Sequence, residues 1–153
     1  MPKYAIIQPT QKEGIAMDKI LFGTGGWRAI IGEDFIAFNI RRVAQGIFDL
    51  MSEQSKTDKP VIIGYDRRFL SETAAKWVAE VLAKGGLTVW FLNRSAPTPF
   101  VMHTVKDKEL HYGIEITASH NPSEYNGIKL IVDEGRDAPV ETTSLLESLI
   151  AET

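Results

Sequence analysis

Ser119, His120 and Lys129 bring a hydroxyl, an imidazole and an ammonium together in one short stretch of this chain. They lie in or directly behind Thr117-Ala118-Ser119-His120-Asn121-Pro122-Ser123-Glu124-Tyr125-Asn126-Gly127, which runs on into Ile128-Lys129. The Asn-Pro and Asn-Gly pairs predict a loop, tied at its ends by the apolar runs His111 to Ile116 and Ile128 to Val132. Loops held this way often carry chemistry, because the scaffold fixes their ends while the tip stays accessible. The chemistry this set suits is that of a phosphoryl group. A phosphoserine carries about −1.5 to −2 charges near neutral pH and three acceptor oxygens. Lys129, the loop amides and, from far upstream, Arg28 are donors for such oxygens or for a bound sugar phosphate. Phosphoryl transfer asks mainly for positioning and charge neutralisation, usually with a divalent metal. A plainer reading, with Ser119 capping a turn and Lys129 solvated, stands beside this one on the residues alone.

Other chemistries fit less well. Gly23-Thr24-Gly25-Gly26-Trp27-Arg28 is not a dinucleotide fingerprint, because Arg28 stands where the third glycine belongs. No Gly-Lys-Ser/Thr of the P-loop kind occurs. Ser119 has no flanking glycines, so it is no nucleophile elbow. His120 adjoins Ser119 in sequence, and adjacent side chains are expected to diverge, which argues against a protease-like Ser–His pair. His103, His111 and His120 lack the i, i+4 spacing of a helical zinc site. Asn93-Arg94-Ser95 reads as a chance sequon, since no secretory signal accompanies it.

The elements that must position these residues are readable from periodicity. Residues 1–16 show none and read as an N-terminal extension, with Met17 as a possible true start. Ile20-Leu21-Phe22 and Ala29-Ile30-Ile31 predict two short strands around the glycine-rich turn. Ile36, Ile40, Val43, Ala44, Ile47, Phe48 and Met51 recur at helical spacing. Val61 to Tyr65 predicts a strand covered on both faces. Ser71 to Lys84 predicts a helix with Ser71 as N-cap, a stripe of Ala74, Trp77, Val78, Val81 and Leu82, and Gly85-Gly86 as its stop. Leu87 to Leu92 is the next strand. Thr98-Pro99 reads as an N-cap and first-turn proline opening a helix to about Lys106. The alternation implies right-handed parallel crossovers, whereas the short serine loop turns the Ile128 strand antiparallel. Glu141 to Ala151 closes the pattern as an amphipathic helix, and its end at the last residues suggests a cut at a domain boundary. The expected fold is an α/β layered domain, residues 17–153, with a mixed, mostly parallel sheet flanked by helices.

Composition narrows the partners. With 153 residues, 44% of them hydrophobic and 24% charged, the chain can bury a core of its own. A net charge of −3 argues against nucleic acid or an anionic membrane as main partner. The absence of cysteine excludes disulfides and suits a reducing compartment. No apolar run approaches the roughly 20 residues of a membrane span, and the first 16 residues lack a signal-peptide core. Cytoplasm is the default expectation.

Thr-Ala-Ser-His-Asn-Pro with Tyr-Asn-Gly-Ile-Lys resembles the active-site serine loop of the α-D-phosphohexomutases, the phosphoglucomutase/phosphomannomutase family. Phe22-Gly23-Thr24-Gly25-Gly26-Trp27-Arg28 resembles that family's N-terminal motif, and Gly64-Tyr65-Asp66-Arg67-Arg68 its Gly-Arg-Asp-x-Arg segment, with Tyr65 and Arg67 as departures. Ala96-Pro97-Thr98-Pro99 also fits, so the matches run in order over about residues 20–132. The resemblance implies that Ser119 is phosphorylated and exchanges its phosphoryl group with a hexose monophosphate through a hexose 1,6-bisphosphate. It assigns Arg28 and Lys129 to acid/base or charge-stabilising roles. A lysine serves as acid/base only with a lowered pKa, so charge stabilisation is the safer assignment beside a phosphoserine. His120 either orients the serine or substrate, or makes a structural hydrogen bond. Asp66 and Arg68 are expected to form a buried pair supporting the loops.

Family members have four domains, and the match covers only the first. The Asp-x-Asp-x-Arg metal loop, the sugar-specificity loop and a further phosphate-binding loop have no counterpart in this sequence. Mg2+ would find one ligand here, the Ser119 phosphoryl oxygen, and one ligand makes no site. The expected partners are a sugar phosphate and the remaining domains. Exposed apolar area where those domains pack would favour self-association. The isolated chain is expected to be inactive. The hexose stays open, although the Gly-Trp-Arg and Thr-Ala-Ser-His forms lean toward glucose or mannose phosphates over glucosamine phosphate. The alternative is a stand-alone sugar-phosphate-binding or phosphoacceptor module.

Overall fold

The computed structural model describes residues 19–152, with side chains through Ile150. The expectations for residues 1–16 and Met17 fall outside that range. Six strands and four α-helices follow in order: β1 Gly26–Ile30, α1 Ala37–Glu53, β2 Val61–Tyr65, α2 Ser71–Lys84, β3 Val89–Phe91, α3 Thr98–Asp107, β4 Tyr112–Ile116, β5 Tyr125–Val132, β6 Arg136–Asp137 and α4 Val140–Glu152. A 3₁₀ turn, Asp133–Gly135, joins β5 to β6.

These strands form one mixed sheet in the order β1-β5-β4-β2-β3, with β6 also on β5. The β2–β3 and β2–β4 ladders are parallel, as the strand–helix alternation predicts. β5 runs antiparallel to β4, as the short serine loop requires, and takes β1 and β6 antiparallel as well. From β2 to β3 the chain steps one way along the sheet; from β3 to β4 it steps back past β2. Two right-handed crossovers in opposite directions place their helices on opposite faces. That is the observed arrangement. α1 packs on α2 and α4, and the main core joins their apolar stripes to Trp27, Ala29, Val61, Ile63, Tyr112, Ile114, Ile116, Ile128 and Leu130. α3 covers the other face with a small cluster of Ile62, Val101, Val105, Leu110 and Ile131. The continuous apolar run of β2 is thus split residue by residue between two cores. α4 reaches α1 over Gly46, where an added Cβ would lie 2.5 Å from Ile150 Cγ1.

Several local expectations differ from the structure. Ile20-Leu21-Phe22 is not a strand; the segment only approaches β1 through a Gly23–Gly26 bridge. Ile36 precedes α1 as its N-cap and is partly exposed. Ser71 does not cap α2: Leu70 holds the N-cap position at φ 70°, and the Ser71 hydroxyl instead donates to Asp66 Oδ1 at 2.7 Å. Thr98 likewise stands inside α3, with Pro97 as its N-cap. In both cases the polar side chain has the chemistry of a local cap, whereas the backbone before it sets the helix start. Tyr125, Asn126 and Gly127 belong to β5 and not to the loop, because each pairs across to β1.

Candidate functional site

The serine loop is the tight connection between β4 and β5, and its shape is imposed from outside by one side chain. Arg68, from the segment after β2, donates to the carbonyls of Ser119 (2.9 Å), Asn121 (2.6 Å), Pro122 (2.7 Å) and Tyr125 (3.1 Å). A rigid guanidinium with five donors suits such a radial clamp; a lysine would not. Asp66 holds Arg68 in turn, at 3.5 Å from its Nε. The Asp66 carboxylate also accepts from the Arg68 amide (2.9 Å), Ser71 Oγ (2.7 Å) and Thr117 Oγ1 (2.8 Å). Thr117 Oγ1 accepts from the Ser119 amide at 3.0 Å, completing a path from β2 to the serine. Asn126 ties the far end, donating to the Phe69 carbonyl (3.0 Å) and to Ser71 Oγ (2.8 Å). The expected Asp66–Arg68 pair is therefore present, half-buried rather than buried, and it acts on the backbone of the loop.

Within this frame Ser119 is exposed and left-handed, at φ 55°. A non-glycine residue in that region is strained, and such strain persists only where the surroundings over-determine it. The same twist brings the adjacent side chains together: Ser119 Oγ lies 3.4 Å from His120 Nδ1. Their expected divergence is thus corrected, although the contact is long and weak.

Arg28 and Lys129 reach the site along the sheet. Both lie in strands, β1 and β5, on the face covered by α3. Arg28, expected in a turn, is the third residue of β1 and pairs with Gly127. Room for its side chain comes from glycine: a Cβ on Gly26 would run into the guanidinium, and one on Gly127 into Arg28 Cδ and the Trp27 carbonyl. Arg28 Nη1 donates to the Trp27 carbonyl at 3.1 Å. Burial lowers its pKa, Asp137 opposes this and the neighbouring Arg68 adds to it, but a guanidinium remains a cation throughout. Lys129 Nζ lies 2.9 Å from Asp137 Oδ1, close enough for an ion pair but not aligned for a hydrogen bond. Lys129 is therefore not simply solvated. A concavity of about 300 Å³ beside Arg28 is lined by Trp27, Asp34, Asn39 and Tyr125. Another of about 530 Å³ lies against Arg68, Phe69, Asn121 and Ser123.

The structure thus places Arg28 and Lys129 on one face of the sheet and Ser119 and His120 in the loop that follows β4, with Arg68 bonded to the Ser119 carbonyl and close enough to Arg28 to act on its charge. Sequence reasoning missed two members of this neighbourhood, Asp137 and Glu115. Glu115 sits fully buried in β4 directly opposite Lys129. Its only signal is a lone carboxylate inside the otherwise apolar run His111 to Ile116. Among the described residues no group of three or more His, Asp or Glu side chains could hold a metal. No helix among them is long and apolar enough to cross a membrane.

The comparisons with known proteins agree with this fold. The family described as phosphoglucomutase/phosphomannomutase, alpha/beta/alpha domain I, matches residues 19–153. The phosphoglucomutase of Staphylococcus saprophyticus is 33% identical over 147 residues, covering 94% of this chain and 26% of that protein. The phosphoglucomutase of Staphylococcus aureus is 34% identical over 145 residues, again covering 26% of its length. A crystal structure from Thermus thermophilus, assigned as a phosphomannomutase, superposes with a TM-score of 0.81 at 32% identity, over 87% of this chain and 30% of the other. The chain spans about a quarter of the length of the curated relatives it matches. By the family match over all its described residues, and by the shared fold, this chain belongs to the phosphoglucomutase/phosphomannomutase family and corresponds to that family's first α/β/α domain.

Proposed function

We propose that residues 17–153 form the serine-bearing first domain of a hexose-phosphate mutase, with Ser119 as the phosphoryl carrier. The observation that carries this reading is the clamp of Arg68 on three loop carbonyls and on the Tyr125 carbonyl that opens β5, which holds an exposed Ser119 in a strained conformation. In the transfer, the bond from phosphorus to Ser119 Oγ breaks as one forms to a sugar hydroxyl; the hydroxyl gives up its proton and the departing Ser119 Oγ takes one up, so the step is neutral in protons. The hexose 1,6-bisphosphate so formed then returns its other phosphoryl group to Ser119. The net result is exchange between hexose 1-phosphate and hexose 6-phosphate.

Arg28 and Lys129 stabilise the charge of the transferring group. The Asp137 contact supports that role for Lys129, since the ion pair holds the ammonium in place as a fixed charge on the face that carries Arg28. His120 orients the serine hydroxyl. Mg2+ would take only the Ser119 phosphoryl oxygen from this chain, which has no donor set of its own among the described residues. Its other ligands, like the groups that choose the hexose, belong to further domains. The isolated 153-residue chain is accordingly proposed to be inactive, and the whole protein to work in the cytoplasm. Exposed Phe69, Trp90 and Phe100 supply apolar surface against which other domains can pack.

Intact and peptide mass spectrometry of the gene product from its own cells tests this reading. A much longer chain with a phosphoryl group on Ser119 is the expected result. A native chain ending at Thr153 with Ser119 unmodified would favour a stand-alone sugar-phosphate-binding module instead. In the longer protein, Ser119→Ala is expected to lower turnover at least about a thousandfold. Conversion of glucose 1-phosphate to glucose 6-phosphate by the purified 153-residue protein, lost in Ser119→Ala, would overturn the proposed inactivity.

A further inference from the structure

Glu115 breaks the pattern of its strand. It lies between Ile114 and Ile116, is fully buried, and neither carboxyl oxygen has a hydrogen-bond partner. Such burial is unfavourable, and an apolar residue of similar size would avoid it. The fold nevertheless makes room. In the parallel ladder Glu115 pairs with Gly64, and a Cβ on Gly64 would collide with Glu115 Oε2. In the antiparallel ladder it pairs with Lys129, so the two side chains stand side by side on the face that carries Arg28. Breaks of local consistency of this kind tend to fall at functional sites.

Few charged groups surround it. β5 presents Lys129 and the segment after β2 presents Asp66, while Val101 of α3 and Leu92 stand with Glu115 around Gly64. Beyond these stand Asp137 against Lys129, Arg68 against Asp66, and Arg28 from β1. Burial and then Asp66 push the Glu115 pKa up to about 8, with Lys129 opposing. The carboxyl is therefore neutral at pH 7 and ionises above pH 8. Asp66 and Arg68 offset each other. Arg28 and Lys129 then face one carboxylate while Glu115 keeps its proton, and two once the proton has left to solvent.

Resting on the reading of Ser119 as phosphoryl carrier, we infer that Glu115 is a positioning residue for Lys129. As a neutral acid it leaves the ammonium's charge available to a phosphate at the serine loop; as an anion it draws that charge back into the sheet. Glu115 is enclosed by the domain and touches no ligand, so it acts only through Lys129.

Calorimetric titration of inorganic phosphate into the gene product isolated from its cells, freed of any Ser119 phosphoryl group by a phosphatase, tests this between pH 7.5 and 9.5, where phosphate is mostly and then wholly the dianion. In the unsubstituted protein the affinity is expected to fall roughly tenfold over that range, the effect of one added charge at partly screened range. Glu115→Gln, neutral throughout, is expected to hold its affinity across it. Equal falls in both proteins overturn the inference. Glu115→Met gives a second neutral variant should the amide fail to fold. A carbon-13 titration of Glu115 in the unsubstituted protein gives an independent check, and ionisation below pH 6 overturns the inference. Phosphate binding with the expected pH contrast but no mutase turnover would remove the mutase reading and leave this one. Turnover with parallel pH profiles would remove only this one. Absence of phosphate binding removes it in either case.

Discussion

The two faces of this sheet are built from the same strands and do opposite things. Toward α1, α2 and α4 the strands present Trp27, Ala29, Tyr112, Ile114, Ile116, Ile128 and Leu130, a continuous apolar layer. Toward α3 the alternate positions are Gly26, Arg28, Gly64, Gly113, Glu115, Gly127 and Lys129, and only a small apolar cluster closes that face at one end. Strand geometry makes this separation possible, because successive side chains point to opposite faces. The first face supplies the burial that stabilises the domain. The second face can then carry glycines and charges that a single-faced core would not tolerate.

Substitutions test how independent the faces are. On the apolar face, Ile114→Ala is expected to destabilise the domain by about 2–5 kcal/mol, a large part of a typical domain's total stability. Chemical denaturation measures it, and a loss below about 1 kcal/mol would mean that the layer does not carry the stability assigned to it. On the charged face, the expectation for Glu115 has a definite sign. Its pKa rises from an ordinary 4.5 to about 8 on folding, so below pH 4.5 both states hold the proton and nothing is lost. Between pH 4.5 and 8 the unfolded chain is ionised while the folded one is not, and stability falls as pH rises. Above pH 8 the loss is complete, at roughly 5 kcal/mol. Denaturation of Glu115→Gln across this range should lack that component, and an unchanged pH slope would refute it.

Arg68→Met removes the clamp while leaving the apolar face intact. Turnover is expected to fall about a hundredfold through misplacement of Ser119, with the main core undisturbed in near-UV circular dichroism. A drop in stability without a drop in turnover would make the clamp purely structural. The smallest effect belongs to the outer helix layer. Gly46→Ala pushes a methyl group against Ile150 and should cost about 1–2 kcal/mol, leaving turnover unchanged in the same assay that reads Arg68→Met.

Much of this architecture was legible in the chain. The α1 stripe, the α2 bounds, the doubly covered β2, and the antiparallel return after a short loop all follow from periodicity and loop length, which are local properties. The misses share a cause. Ser71 and Thr98 have side chains that cap helices in isolation, but the Ser71 hydroxyl is taken by Asp66 and the preceding residue fills each cap. Ile20 to Phe22 looks like a strand, yet only β1 beyond it finds a partner in β5. Tyr125 to Gly127 reads as loop by composition and becomes strand because β1 pairs with it. Glu115 and Asp137 escaped because their meaning depends on Lys129, which the sheet brings to them from other parts of the chain.

The sequence by itself determined the α/β class and the order of the elements, and it singled out the serine loop with Lys129 directly behind it. These depend on side-chain period, turn residues and motif, all read within a few residues of one another. Only the tertiary structure decided that Arg68 shapes the loop through its carbonyls, that Asp137 holds Lys129, and that a buried carboxyl stands opposite that lysine. Those contacts join different strands and segments rather than neighbours within one. They follow from strand register and crossover direction, and no local pattern encodes either.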